Sequence, residues 1–141
     1  MREIEFRGIG VKTGKWIYGS LLVLKSPSGK YAYCEIDANG DVICEVIPET
    51  VGQFTGLLDR NGKRIYEGDI MGRLFDDHNE STIVVYKHGV LCAKTISKEE
   101  YRPLNTFECL GPVDVYGSRN YDFTVYGNIH DNPELVKGAE T

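Results

Sequence analysis

Three cations, Arg60, Lys63 and Arg64, fall within five positions of "DRNGKRIY", and Tyr66 follows two residues later. Cations beside an aromatic ring are what a nucleic-acid groove uses, the cations for phosphates and the ring for stacking on a base. The same residues also describe a charged hairpin tip that simply stays wet, and Asp59 and Glu67 flank them with opposite charge. They are not a phosphate loop, because its glycine spacing and its Lys-Ser/Thr ending are both missing.

Other residue types that carry chemistry do not assemble. "DDHNE", Asp76 to Glu80, offers oxygen and imidazole ligands. Five consecutive residues do not converge on one ion, and no second ligand-bearing segment stands out. "DANGD", Asp37 to Asp41, opens like a calcium loop, but its Gly comes too early and Pro48 stands where a bidentate Glu belongs. Cys34, Cys44, Cys92 and Cys109 include no Cys-x-x-Cys pair. A strand would hold Cys92 and His88 about 13 Å apart, too far for a thiol and its base. There is no Gly-x-Ser-x-Gly elbow, and no two carboxylates are paired across a cleft by their spacing. The residues therefore predict no metal, no cofactor and no catalysis.

The elements that position these residues are short strands. The chain has 141 residues, enough for one domain or two small subdomains. Nine Tyr, five Phe and sixteen Gly favour pleated surfaces joined by tight turns. A hydrophobic content of 41% is that of a soluble globular chain, and a net charge of −5 opposes phosphate binding over the surface as a whole. "MREIEFRGIG" lacks the apolar core of an export signal, and the apolar runs "SLLVL" and "TIVVY" are too short to span a membrane. A cytoplasmic protein with reduced cysteines and no membrane partner is expected.

"REIEFR" alternates, with Ile4 and Phe6 on one face and Glu3, Glu5 and Arg7 on the other. "KWIYGSLLVLK" continues in β character, and "SPSG" reads as a turn. "KYAYCEIDANGDVICEVI" is a hairpin, with a loop of either two or three residues. The three-residue loop Ala38-Asn39-Gly40, with Gly40 left-handed, sets Cys34 opposite Cys44 and Ile36 opposite Val42. It also keeps Glu45 off the apolar face, so it is the preferred register. Around Asn61-Gly62 a two-residue type I′ turn sets Asp59 opposite Arg64. "TIVVYKHGVLCAKTI" folds back at His88-Gly89, "SKEEYRPL" predicts a helical turn, and Asn132-Pro133 predicts a second.

"MREIEFRG", "ETVGQFTGLLDRNGKRIYEGDI" and "YGNIHDNPELV", in that order and spacing, resemble the YopX-like family of small bacteriophage and prophage proteins. The resemblance implies a mainly β protein of many short antiparallel strands including an SH3-like barrel, a phage or prophage origin, and self-association. It implies no activity. The matched glycines, Gly56, Gly62, Gly68 and Gly127, read as turn formers, and Phe54, Ile65, Tyr66 and Ile70 as packing residues. "GIGVKTGKWIYGS" and residues 90 to 125 depart from the family's pattern.

Residues 1–53 are expected as an N-terminal β subdomain with its hairpin at 30–47, residues 54–130 as the barrel, and 131–141 as a tail, possible within one compact unit. The function expected is that of a non-enzymatic accessory protein that self-associates and binds a host or phage protein. Tyr116, Tyr121, Phe123 and Tyr126 are the candidate interface residues, since tyrosines favour interfaces. Nucleic-acid contact through Arg60, Lys63, Arg64 and Tyr66 is the alternative, ranked below it.

Overall fold

The computed structural model describes residues 3–25, 32–38, 40, 42–72, 81–96, 99–104, 110–113, 119–121 and 123–137. It divides into two compact units, Met1–Phe54 and Thr55–Thr141. The "SPSG" turn, "DDHNE", Cys109 and Tyr116 lie outside the described residues.

In the first unit β1 (Phe6–Ile9), β2 (Trp16–Lys25), β3 (Ala32–Ala38), β4 (Val42–Val46) and the start of β5 (Gly52–Leu58) form an antiparallel sheet. Its order is β4-β3-β2-β1-β5. Period-two alternation buries Cys34, Ile36 and Val46, against which Phe6, Ile17, Leu21 and Val51 pack. The sheet curls back on itself. Val46 bridges Gly10, Val11 N–H donates to the Glu45 carbonyl at 2.9 Å, and Ile47 N–H donates to the Ile9 carbonyl at 2.8 Å. Thr50, in the 3-10 turn Pro48–Thr50, fastens that end, its Oγ1 accepting from Ile9 N–H at 2.9 Å and donating to the Ile47 carbonyl.

Two expectations for this unit are corrected. Arg7, set with Glu3 and Glu5 on the polar side of its strand, is buried, with its guanidinium 4.6 Å from the centre of the Trp16 ring. Ile4 is exposed instead. Stacking on an indole lets a guanidinium leave water without leaving a favourable field. The hairpin pairs Ala38 with Val42 and Cys34 with Val46, two residues away from the expected register. A two-residue shift keeps every side chain on its own face, so the apolar pattern is served equally well by both. Gly40 is left-handed at φ 80°, as expected.

Cys34 and Cys44 consequently do not face each other, and Cys34, Cys44 and Cys92 are free thiols. Burial raises the Cys34 pKa above the ordinary thiol value, and the Glu49 carboxylate adds to the rise. The neutral thiol is thereby favoured in the folded state. Its contribution is full below the ordinary thiol pKa and is lost as pH climbs through the raised folded value, because the unfolded thiol ionises first. Urea midpoints should therefore fall in alkaline buffer, and Cys34→Ala should flatten that fall. An unchanged alkaline slope in the variant would refute the assignment.

In the second unit the rest of β5 pairs with β6 (Arg64–Tyr66). β7 (Asp69–Gly72), β8 (Thr82–Lys87), β9 (Val90–Thr95) and β10 (Tyr101–Pro103) follow as a meander, and β13 (Thr124–Asn128) pairs with β7. Among the described residues nothing closes this sheet into a ring. β11 (Leu110–Val113) and β12 (Arg119–Tyr121) form a separate ribbon, and α1 (Glu134–Lys137) is a single turn. Ile65, Met71, Val84, Ala93, Leu104, Phe123 and Val125 form the core. The β8–β9 turn falls at His88-Gly89, as the sequence predicts, and both residues have positive φ. The predicted helical turn over "SKEEYRPL" is absent where described: Tyr101, Arg102 and Pro103 pair with Lys94, Ala93 and Cys92. Ladder pairing with an existing strand outweighs the propensity of so short a segment.

Candidate interaction surfaces

The segment 55 to 70 is built around two buried aspartates. Asp59 is 1% exposed. Its Oδ1 accepts from Asn61 N–H and Lys63 N–H, both at 2.8 Å. Its Oδ2 accepts from Val125 N–H at 3.0 Å, sixty-six positions away. The neighbouring Arg60 N–H donates to the Phe123 carbonyl at 2.9 Å, so the loop is tied to the beginning of β13. Asp69, also 1% exposed, accepts from Tyr66 N–H at 2.7 Å through Oδ2 and sets the next turn.

The expected type I′ turn is corrected by these bonds. Asp59 N–H donates to the Lys63 carbonyl at 2.7 Å, and Gly62 N–H donates to the Asp59 carbonyl at 3.0 Å. The loop is therefore Arg60-Asn61-Gly62, with Gly62 at φ 81°. Asp59 faces Lys63 rather than Arg64. A carboxylate that collects backbone N–H groups selects the longer loop, because the two-residue turn would not present Asn61 and Lys63 to it. The available signal was Asp two residues before Asn-Gly, a pattern that favours such side-chain turns.

Arg60 and Lys63 are exposed at the tip and Arg64 is half-buried. Tyr66, 4% exposed, is a core residue and offers no ring for stacking. Of the late aromatic residues, Phe123 is 8% exposed and belongs to the core, whereas Tyr126 is 47% exposed with its hydroxyl on Ser81 Oγ. Tyr121 sits in β12 opposite Leu110, its side chain outside the described residues. The expected four-residue aromatic surface is thus reduced by Phe123.

A surface that sequence reasoning missed lies on the first unit. Leu22 and Leu24 of β2 and Ile43 of β4 are exposed on the side of the sheet away from Cys34 and Ile36; Tyr18 is exposed too, as are Val23 and Val42 on the opposite side, all between 36% and 57%. Of these the sequence reading placed only Val42, opposite Ile36 on the apolar side of the hairpin, since a sequence does not tell which of a sheet's faces is covered. On the second unit Tyr86 and Val90 are exposed at the end of the β8–β9 hairpin.

Near "YGNIHDNPELV" the polar groups again serve the backbone. Asn128 Oδ1 accepts from His130 N–H at 3.0 Å and Asp131 N–H at 2.9 Å, and Asn132 Oδ1 accepts from Asn128 N–H at 3.2 Å. Among the described residues no group of three His, Cys, Asp or Glu side chains is placed to hold a metal ion. No described helix is long and apolar enough to cross a membrane.

The fold and these surfaces describe a small mainly β protein whose buried polar residues shape turns and which exposes several large apolar side chains. A family model described as YopX protein matches residues 5–137. The chain belongs to the YopX family. It is also similar to a solved structure, the crystal structure of protein EF1440 from Enterococcus faecalis. The TM-score is 0.53 at 20% sequence identity, over 96% of this chain and 99% of that one, a likeness of fold. No curated protein matches the chain.

Proposed function

We propose that the protein is a non-enzymatic phage or prophage accessory protein that self-associates and acts by binding another protein in the host cytoplasm. The observation that carries this reading is the exposure of Leu22, Leu24 and Ile43, which share the outward face of the β2–β3–β4 sheet. Large apolar side chains exposed together on one face of a sheet mark an interaction site. A partner of host or phage origin would cover it. The SH3-like barrel that the family resemblance implies for residues 54–130 belongs to the same reading, supported by the antiparallel meander of β7 to β10 with β13 on its other edge.

Self-association is supported by Tyr86 and Val90, which are 61% and 42% exposed on the second unit. Tyrosine is favoured at symmetric contacts. Light scattering after gel filtration should give more than one chain per particle, and Tyr86→Ser with Val90→Ser should shift it towards a single chain. A single chain at every practical concentration would remove self-association from the reading.

Nucleic-acid binding keeps one supporting observation, the exposure of Arg60 and Lys63 on a hydrogen-bonded tip. Without Tyr66 as a stacking platform, it should amount to no retardation of single- or double-stranded probes at low salt. Retardation that weakens with salt and with Arg60→Ala and Lys63→Ala would replace the protein-binding reading.

A further inference from the structure

The outward face of the β2–β3–β4 sheet sets an apolar frame around an acidic centre. Its ladder registers place Leu22, Glu35 and Glu45 in one cross-strand row, and Ser20, Asp37 and Ile43 in the next. Cys34 and Ile36 fill the buried face, so these rows look outward. Leu22 is 43% exposed, Leu24 36% and Ile43 57%. Glu35 and Glu45 are direct cross-strand neighbours, a like-charge arrangement that works against the sheet. Asp37 has one carboxylate oxygen shut off from solvent, with no donor among the described residues.

We propose that this face docks a cationic amphipathic segment of a partner protein, an extended stretch whose sheet-facing residues, every second one, are by turns Lys or Arg and large apolar residues. This rests on the protein-binding reading above and adds the chemistry of the partner. A second copy of the face does not suit it, because a two-fold contact would bring Glu35, Asp37 and Glu45 against themselves. A neutral apolar segment would cover Leu22 and Ile43 while leaving carboxylates desolvated without a counter-charge. Cations on the partner relieve the Glu35–Glu45 repulsion, and apolar residues between them cover the leucines and Ile43.

The test uses the full chain and three synthetic twelve-residue peptides, repeats of Leu-Leu-Lys-Lys, Leu-Leu-Ser-Ser and Leu-Leu-Glu-Glu, which set both residue types on each side of an extended chain, titrated by calorimetry. The Leu/Lys peptide should bind, weaken with added salt, and lose roughly tenfold in affinity to the double variant Glu35→Gln, Glu45→Gln. That variant loses a repulsion, so it should melt no lower than the parent. Glu99→Gln with Glu100→Gln changes net charge equally on the other unit and should leave binding unchanged. Equal binding of the Leu/Ser peptide would overturn the cationic preference while leaving the protein-binding reading intact. Binding of Leu/Lys that ignores the Glu35/Glu45 substitutions, or no binding by any peptide, would overturn the inference, and light scattering would then judge self-association separately.

Discussion

Replacing Asp59 with Ala should lower the unfolding free energy by about 3 to 5 kcal/mol, one of the two largest single-residue effects expected in this chain. The carboxylate accepts three backbone N–H groups, and it does so from a site that is 1% exposed. Hydrogen bonds to an ionised acceptor contribute about 1.5 to 3 kcal/mol each. Two of the three donors, Asn61 N–H and Lys63 N–H, lie at an exposed tip and regain water when the carboxylate is removed. Val125 N–H lies on a buried core residue and does not, which places the sum below simple addition. Asp59→Asn keeps one acceptor oxygen and the turn-forming geometry, so it should cost about half as much. Urea denaturation measures both, and native-state exchange at the Val125 amide should accelerate in each. If Asp59 were only one charge on a wet tip, both substitutions would fall within about 0.5 kcal/mol of the parent, and that result would dismiss the clamp.

Gly19→Ala is the second. A Cβ at Gly19 would stand 2.1 Å from the Asp37 carbonyl oxygen and 2.9 Å from its carbonyl carbon. Both atoms are backbone of the paired strand, so no rotamer change relieves the contact. β2 and β3 would have to part where Ser20 pairs with Asp37, with a cost of about 3 kcal/mol or more. Gly62→Ala makes the comparison informative. Gly62 has φ 81°, and a Cβ there would meet nothing within 4 Å, so alanine faces only the backbone penalty of about 1 kcal/mol. Comparable losses at the two positions would show that strand crowding at Gly19 is not what requires glycine.

Both residues show why the candidate surfaces were only partly legible in advance. Asp59, Asn61 and Gly62 announce a turn, and the exposed cations Arg60 and Lys63 follow from it. The long-range partner of Asp59 does not, because Val125 comes within reach only after β13 has been laid down on β7. Tyr66 and Phe123 looked equally suited to a surface or a core, and tertiary packing decided for the core. Val42 went the other way, set with Ile36 on the apolar side in the sequence and 56% exposed in the structure, since an apolar residue on a strand reads as buried until the covering layer is known.

What the amino-acid order determined by itself is local. Alternation assigned Cys34, Ile36, Cys44 and Val46 to one side of their ribbon, and His88-Gly89 marked the reversal between β8 and β9. Interactions between neighbours and a period of two are enough for that. What only the tertiary structure decided involves distant partners. The β3–β4 register differs from its alternative by two residues, a shift to which alternation is blind. Residues 101 to 103 became a strand because β9 was there to pair with, and Arg7 left solvent because Trp16 received it. In each case the deciding energy comes from a group that folding brings close, and the order of the chain does not disclose that proximity.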